Sequence, residues 1–96
     1  MSTMPDYTGW IVRATAGREK DGLLCVVGVD RERERLLLAD GKRRRYARPK
    51  AKKLSHVELL TGGFDHPAMQ KLKQGEALSD KALRRALAAF RDQLEV

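Results

Sequence analysis

The chain has 96 residues, 42% of them apolar and 34% charged, and carries 20 Lys and Arg against 13 Asp and Glu for a net charge of +7. This length holds one small domain with a modest core, and the mixed signs of most of its charge exclude a disordered polyelectrolyte. Its single cysteine, Cys25, excludes an intramolecular disulfide framework and points to a reducing compartment; no apolar run approaches the roughly 18 residues of a membrane span, and residues 1–6 lack a signal-peptide pattern. The expectation is a cytoplasmic protein with no membrane association, a monomer when free.

Residues 9–15 read as a first strand, with Trp10, Val12 and Ala14 on one face and Ile11 and Arg13 on the other. Residues 16–21 are polar and contain glycine, a loop. Residues 23–29 are too apolar for strict alternation and predict a strand buried on both faces. Residues 30–34 are a charged, solvated turn, and residues 35–39 a third strand. Asp40-Gly41 is the strongest hairpin signal, because glycine takes positive φ without steric cost and aspartate tolerates it. It predicts a fourth strand over residues 42–47, antiparallel to the third and broken by Pro49. Residues 54–60 form a fifth, with Leu54, His56 and Glu58 alternating against Val57 and Leu59. Five short strands with hairpin turns in about 55 residues suggest a small closed or nearly closed barrel.

Beyond Gly62-Gly63 the pattern becomes helical. Asp65 or His66 caps a helix with Pro67 in its first turn, where a missing N–H is harmless; Gly75 stops it near Gln74. Ser79 caps a second helix with Asp80 in its first turn. Leu83, Leu87, Phe90 and Leu94 make one apolar stripe, widened by Ala82 and Ala86, with Arg84, Arg85 and Arg91 off it. Two such helices cannot bury their stripes alone; they pack on the barrel, on each other or on a partner. The fold expected is mostly β with a helical C-terminal appendage, divided as a barrel over residues 7–60 and a helical segment over 64–95.

The positive excess is concentrated. Eight of the twelve residues from 42 to 53 are basic (Lys42, Arg43, Arg44, Arg45, Arg48, Lys50, Lys52 and Lys53) and none is acidic; the rest of the chain holds 12 basic against 13 acidic side chains. Crowding like charges costs a fold stability through self-repulsion. Such a cluster is a solvated basic loop, a disordered tether or a site for a polyanion, and a polyphosphate backbone is the commonest polyanion. On a fourth strand, Arg43 and Arg45 would face outward and Tyr46 inward, with Lys42 and Arg44 reaching the rim. Lys50, Lys52 and Lys53 would follow as an exposed ribbon. Five dispersed aromatics (Tyr7, Trp10, Tyr46, Phe64 and Phe90) do not build a broad stacking platform.

The stretch from Gly9 to Val27 (strand, loop with Gly17, Arg18 and Lys20, then a valine-ending strand) resembles a KOW motif. With Leu38-Ala39-Asp40-Gly41 and the basic stretch after it, residues 7–60 are similar to KOW-containing RNA-binding proteins related to eukaryotic and archaeal large-subunit ribosomal proteins. The string from Leu78 to Leu87 is similar to the tail of small stand-alone members of that group. The resemblance implies a five-stranded SH3-like barrel, followed here by two short helices, that contacts RNA through the loop after the first strand: Gly17 as the loop glycine, Arg18 and Lys20 as its exposed cations. Asp21 stands between Lys20 and Gly22, where many members carry glycine directly after the lysine.

Other chemistry-bearing residues read as ordinary. Cys25 lies in the most apolar strand and reads as a core thiol; His56 and His66 have no metal-ligand pattern around them; Trp10 reads as core. No acid/base or nucleophile constellation supports an enzyme, and no cofactor is implied. The function expected is binding to structured, ribosomal RNA as a ribosomal or ribosome-associated protein, through phosphate and sugar contacts that read shape more than sequence, with ribosomal proteins as neighbours. The alternative is a protein-docking module of the transcription or translation machinery that uses the barrel and the apolar face of the C-terminal helix.

Overall fold

The structure, a computed structural model, describes residues 4–18, 20–61 and 66–94. Its elements are β1 (Ile11–Ala14), β2 (Leu23–Asp30), β3 (Arg35–Ala39), β4 (Lys50–Lys53), a 3₁₀ turn (Leu54–His56), β5 (Val57–Thr61), α1 (Pro67–Lys73) and α2 (Asp80–Leu94). All strand pairs are antiparallel, in the spatial order β4-β3-β2-β1-β5, so the chain meanders through four strands and the fifth returns beside the first. The sheet is open, with β4 and β5 at its edges. No helix among the described residues is long and apolar enough to cross a membrane.

The period of two in β2 builds two cores at once. Leu23, Cys25 and Val27 face the helices, and Leu24 and Val26 the opposite side. Between Val26 and Gly28 the register against β3 shifts by a bulge. The extra residue reverses the parity of the rest of the strand, so Val29 joins the same core as Val26 although three positions separate them. The core away from the helices contains Val12, Ala14, Leu24, Val26, Leu36 and Leu38, covered by Met4, Tyr7, Trp10, Val57 and Leu59. Trp10 meets Tyr7 edge-on, ring centroids 5.2 Å apart, as part of that cover.

The helices close the other face. His66 caps α1, its Nδ1 accepting the N–H of Ala68 at 3.1 Å, with Pro67 in first position. Gly75, at φ +83°, follows the end of α1, and Ser79 Oγ accepts the N–H of Ala82 at 3.1 Å to start α2. Leu83, Ala86, Leu87 and Phe90 are buried against Ile11, Leu23, Cys25 and Ala39 of the sheet and Ala68, Met69 and Leu72 of α1. Leu94, last of the stripe, is 48% exposed. The division at Gly62-Gly63 and the alternative cap Asp65 lie outside the described residues.

Two strands differ from expectation. The fourth is not residues 42–47 but Lys50–Lys53, paired through Leu38↔Lys50 and Arg35↔Lys53. The fifth begins at Val57, because Leu54, Ser55 and His56 form the 3₁₀ turn. The reason for the first shift lies in Asp40.

Candidate nucleic-acid interface

Asp40 ends β3 and turns its carboxylate back on its own loop. Oδ1 accepts the N–H of Lys42 at 2.8 Å and that of Arg44 at 2.9 Å, while the N–H groups of Asp40 and Gly41 donate to the carbonyl of Arg44 at 2.8 and 3.0 Å. Backbone groups that a strand would have paired with β3 are thus satisfied locally, a competition that aspartate wins against a ladder. Lys42, Arg43 and Arg45 are exposed and Arg44 half-buried, so their orientation follows a loop rather than strand alternation. Tyr46 is half-buried against the helix-side core, as expected of an inward residue.

This basic loop, residues 40–49 and hereafter the 40s loop, is fastened to α2. The N–H of Tyr46 donates to Asp80 Oδ1 at 2.7 Å, and Arg84 Nη1 donates to the carbonyl of Gly41 at 2.6 Å. Gly41 sits at φ +79°, and a Cβ placed there would lie 2.3 Å from the carbonyl oxygen of Asp80. Only glycine admits that approach.

The β1–β2 loop is the second element. Ala14 and Gly22 pair at its base (N–H to carbonyl, 3.1 Å), the N–H of Asp21 donates to Ala14 at 2.8 Å, and that of Lys20 to Gly17 at 3.2 Å. Gly17 has φ +83° and Asp21 φ +70°. Asp21 therefore supplies the left-handed residue at the position where the resemblance expects glycine; among non-glycine residues, Asp and Asn take that conformation most readily. Gly17 is exposed, and so are Arg18 and Lys20, as expected of the loop cations. The N–H of Thr15 donates to the carbonyl of His56 at 2.9 Å, tying the loop to the 3₁₀ turn.

The third element is β4. Lys53 is exposed, but Lys50 is half-buried and Lys52 only 7% exposed, its Nζ donating to the carbonyl of Ala16. The expected ribbon of three exposed lysines is corrected here. Opposite Leu36, the position of Lys52 belongs to the inward face of β4, and its ammonium reaches a backbone acceptor at the sheet's margin. It cannot present its charge freely to a ligand.

These elements make two hollows on either side of the β1–β2 loop. One, of about 360 Å³, is lined by Gly17, Arg35, Lys50, Lys53 and His56, with no acidic residue among the described ones. The other, of about 230 Å³, gathers Arg18, Lys20, Arg43 and Arg91 around Asp40. Arg45 and Arg48 are exposed outside both linings. Sequence reasoning missed Arg35, His56 and Arg91. The pairing of Arg35 with Lys53 required the true position of β4, and Arg91 was legible only as a residue off an apolar stripe.

Cys25 is fully buried, its Sγ 3.5 Å from Met69 Sδ, and burial pushes its thiol from 9.0 up to about 12, which removes the thiolate that reactivity needs. Among the described residues no three His, Cys, Asp or Glu side chains converge as a metal site would require. No family model matches this chain, and no curated protein matches it.

Proposed function

We propose that this protein binds structured RNA through an SH3-like barrel of the KOW type, spanning residues 7–60, as a ribosomal or ribosome-associated protein of the cytoplasm. The observation that carries the reading is the convergence of the β1–β2 loop cations with those of the 40s loop and β4 on two hollows whose linings, among the described residues, hold one carboxylate, Asp40. Cations so placed release counterions when they meet a row of phosphates, and glycine at the loop apex admits a backbone close to the chain. The strand order and the short 3₁₀ turn before β5 support the barrel reading. Few aromatics are available for stacking, so recognition rests on phosphate, sugar and shape.

The protein-docking reading draws less support. It relies on the apolar face of α2, and Leu83, Leu87 and Phe90 of that face are between 0% and 5% exposed against the sheet. Leu94 alone of the stripe remains open to a partner.

The test is binding of a labelled RNA hairpin across a salt series by the parent and by Arg43→Glu/Arg45→Glu/Lys50→Glu/Lys53→Glu, which leaves the buried Lys52 in place. The expected result is steeply salt-dependent binding by the parent and a loss of at least about 100-fold in the variant, with unchanged circular dichroism. Equal binding by a folded variant would overturn the reading. Salt- and ribonuclease-sensitive co-sedimentation with large ribosomal subunits would place the protein on ribosomal RNA.

A further inference from the structure

We propose that Arg91 of α2 completes, with Arg18, Lys20 and Arg43, a seat for one backbone phosphate of the bound RNA, so that the C-terminal helix is part of the interface rather than an appendage to it. The proposal rests on the RNA-binding reading above and extends it to an element outside the barrel.

Three segments distant in sequence line one hollow of about 230 Å³: the β1–β2 loop with Arg18 and Lys20, the 40s loop with Arg43, and α2 with Arg91. All four side chains are exposed. Among the described residues the one carboxylate in the lining is Asp40, whose Oδ1 accepts the N–H groups of Lys42 and Arg44 and so is held by its own loop. Among its described residues the hollow thus presents four cations and one carboxylate. An oxyanion entering it relieves their mutual repulsion and receives bidentate donors from as many as three guanidinium groups.

The position of Arg91 is built. Arg84 and Arg91 are seven residues apart, two helical turns, and therefore share a side of α2. Arg84 holds the carbonyl of Gly41, and Asp80, one turn earlier, holds the N–H of Tyr46. These bonds fix the helix against the basic loop and carry Arg91 to the mouth of the hollow. Arg85, next to Arg84 in sequence, lies elsewhere, lining the cleft between α1 and α2 with Lys71 and Lys81.

Arg85 supplies the control. Arg91→Gln and Arg85→Gln remove the same charge from the same helix. RNA-hairpin affinity is measured for both and for the parent across a salt series. Arg91→Gln is expected to weaken binding about tenfold and to lower the slope of log K against log salt by about 0.7–0.9, the loss of one phosphate contact, while Arg85→Gln leaves the slope unchanged. Inorganic pyrophosphate titrated against isotope-labelled parent, with amide resonances followed, is expected to shift residues 18, 20, 43 and 91 together. RNA binding by the parent with no difference between the two variants overturns the seat and leaves the RNA reading standing. Pyrophosphate shifts at those residues without RNA binding support the seat and overturn the RNA reading. No shift and no RNA binding overturn both.

Discussion

The Nζ of Lys52 donates to the backbone carbonyl of Ala16, joining β4 to the loop after β1 across thirty-six positions of sequence. In the sheet order those strands are three places apart. A flat sheet would separate them by about 14 Å, further than a lysine side chain extends. The bond therefore reports a sheet curled until its β4 margin meets the β1–β2 loop. It also gives one member of the basic cluster a task unlike that of its neighbours: Lys52 holds the loop that displays Arg18 and Lys20.

Lys52→Met should accordingly destabilise the fold by about 1.5–3 kcal/mol, the range for a lost charge-assisted hydrogen bond. Lys52→Glu should cost more, because it sets a buried carboxylate against a carbonyl oxygen. Lys53→Met, at the next position and exposed, should change stability by less than about 0.5 kcal/mol. Urea denaturation of the three variants checks the order, and equal effects at positions 52 and 53 would refute the anchoring role.

Gly41 and Gly75 offer a matched pair. Both have positive φ, +79° and +83°, but a Cβ at Gly41 meets the carbonyl oxygen of Asp80 at 2.3 Å whereas one at Gly75 meets nothing within 4 Å. Gly75→Ala should cost about 1 kcal/mol, the conformational penalty alone. Gly41→Ala adds a backbone clash and should cost more than about 2 kcal/mol, with weakened RNA binding as the 40s loop lifts from α2. Thermal melts and the hairpin assay read both effects.

Asp80→Ala removes the acceptor of the Tyr46 N–H and a favourable charge in the first turn of α2. Its expected cost is about 2 kcal/mol from the two effects together. Asp92→Ala, exposed in the last turn of the same helix, should stay within about 0.5 kcal/mol. If the loop is held by α2 as described, amide exchange of residues 42–46 should quicken in Asp80→Ala and not in Asp92→Ala.

Burial of Cys25 makes stability depend on alkaline pH. Its folded thiol is raised from 9.0 to about 12, so the unfolded chain ionises first and the folded form binds the proton more tightly. The contribution is fully present below pH 9 and is lost as pH rises from 9 toward 12. Between pH 8 and pH 10 the parent should lose on the order of 1 kcal/mol more than Cys25→Ala, which lacks the titrating group. Denaturant titrations at the two pH values make the comparison, and parallel losses in both proteins would exclude a buried thiol as the cause. A thiol reagent should label Cys25 only after unfolding.

What the sequence determined by itself was local. The bounds of β3, the loop after β1, the caps at His66 and Ser79, the stop at Gly75 and the concentration of positive charge after Asp40 all follow from chemistry between near neighbours: capping hydrogen bonds, glycine's access to positive φ, and side-chain period. The inward course of Tyr46, the core placement of Cys25 and the packing of Trp10 against the core were legible on the same grounds. Tertiary structure decided the rest. Asp40-Gly41 was read correctly as a turn but wrongly as a tight hairpin, because the Asp40 carboxylate captures the N–H groups of Lys42 and Arg44 and delays β4 to Lys50. That delay puts residues 50–53 in the sheet instead of an exposed ribbon, burying Lys52 and pairing Lys53 with Arg35. The meeting of Arg91 with Arg18 and Arg43 depends on how α2 lies across the sheet, which the burial of Leu83, Leu87 and Phe90 sets against strands more than forty residues away. A run of like charges is visible in one dimension; which of its members face solvent, and which distant residues join them, is fixed only when the chain folds back on itself.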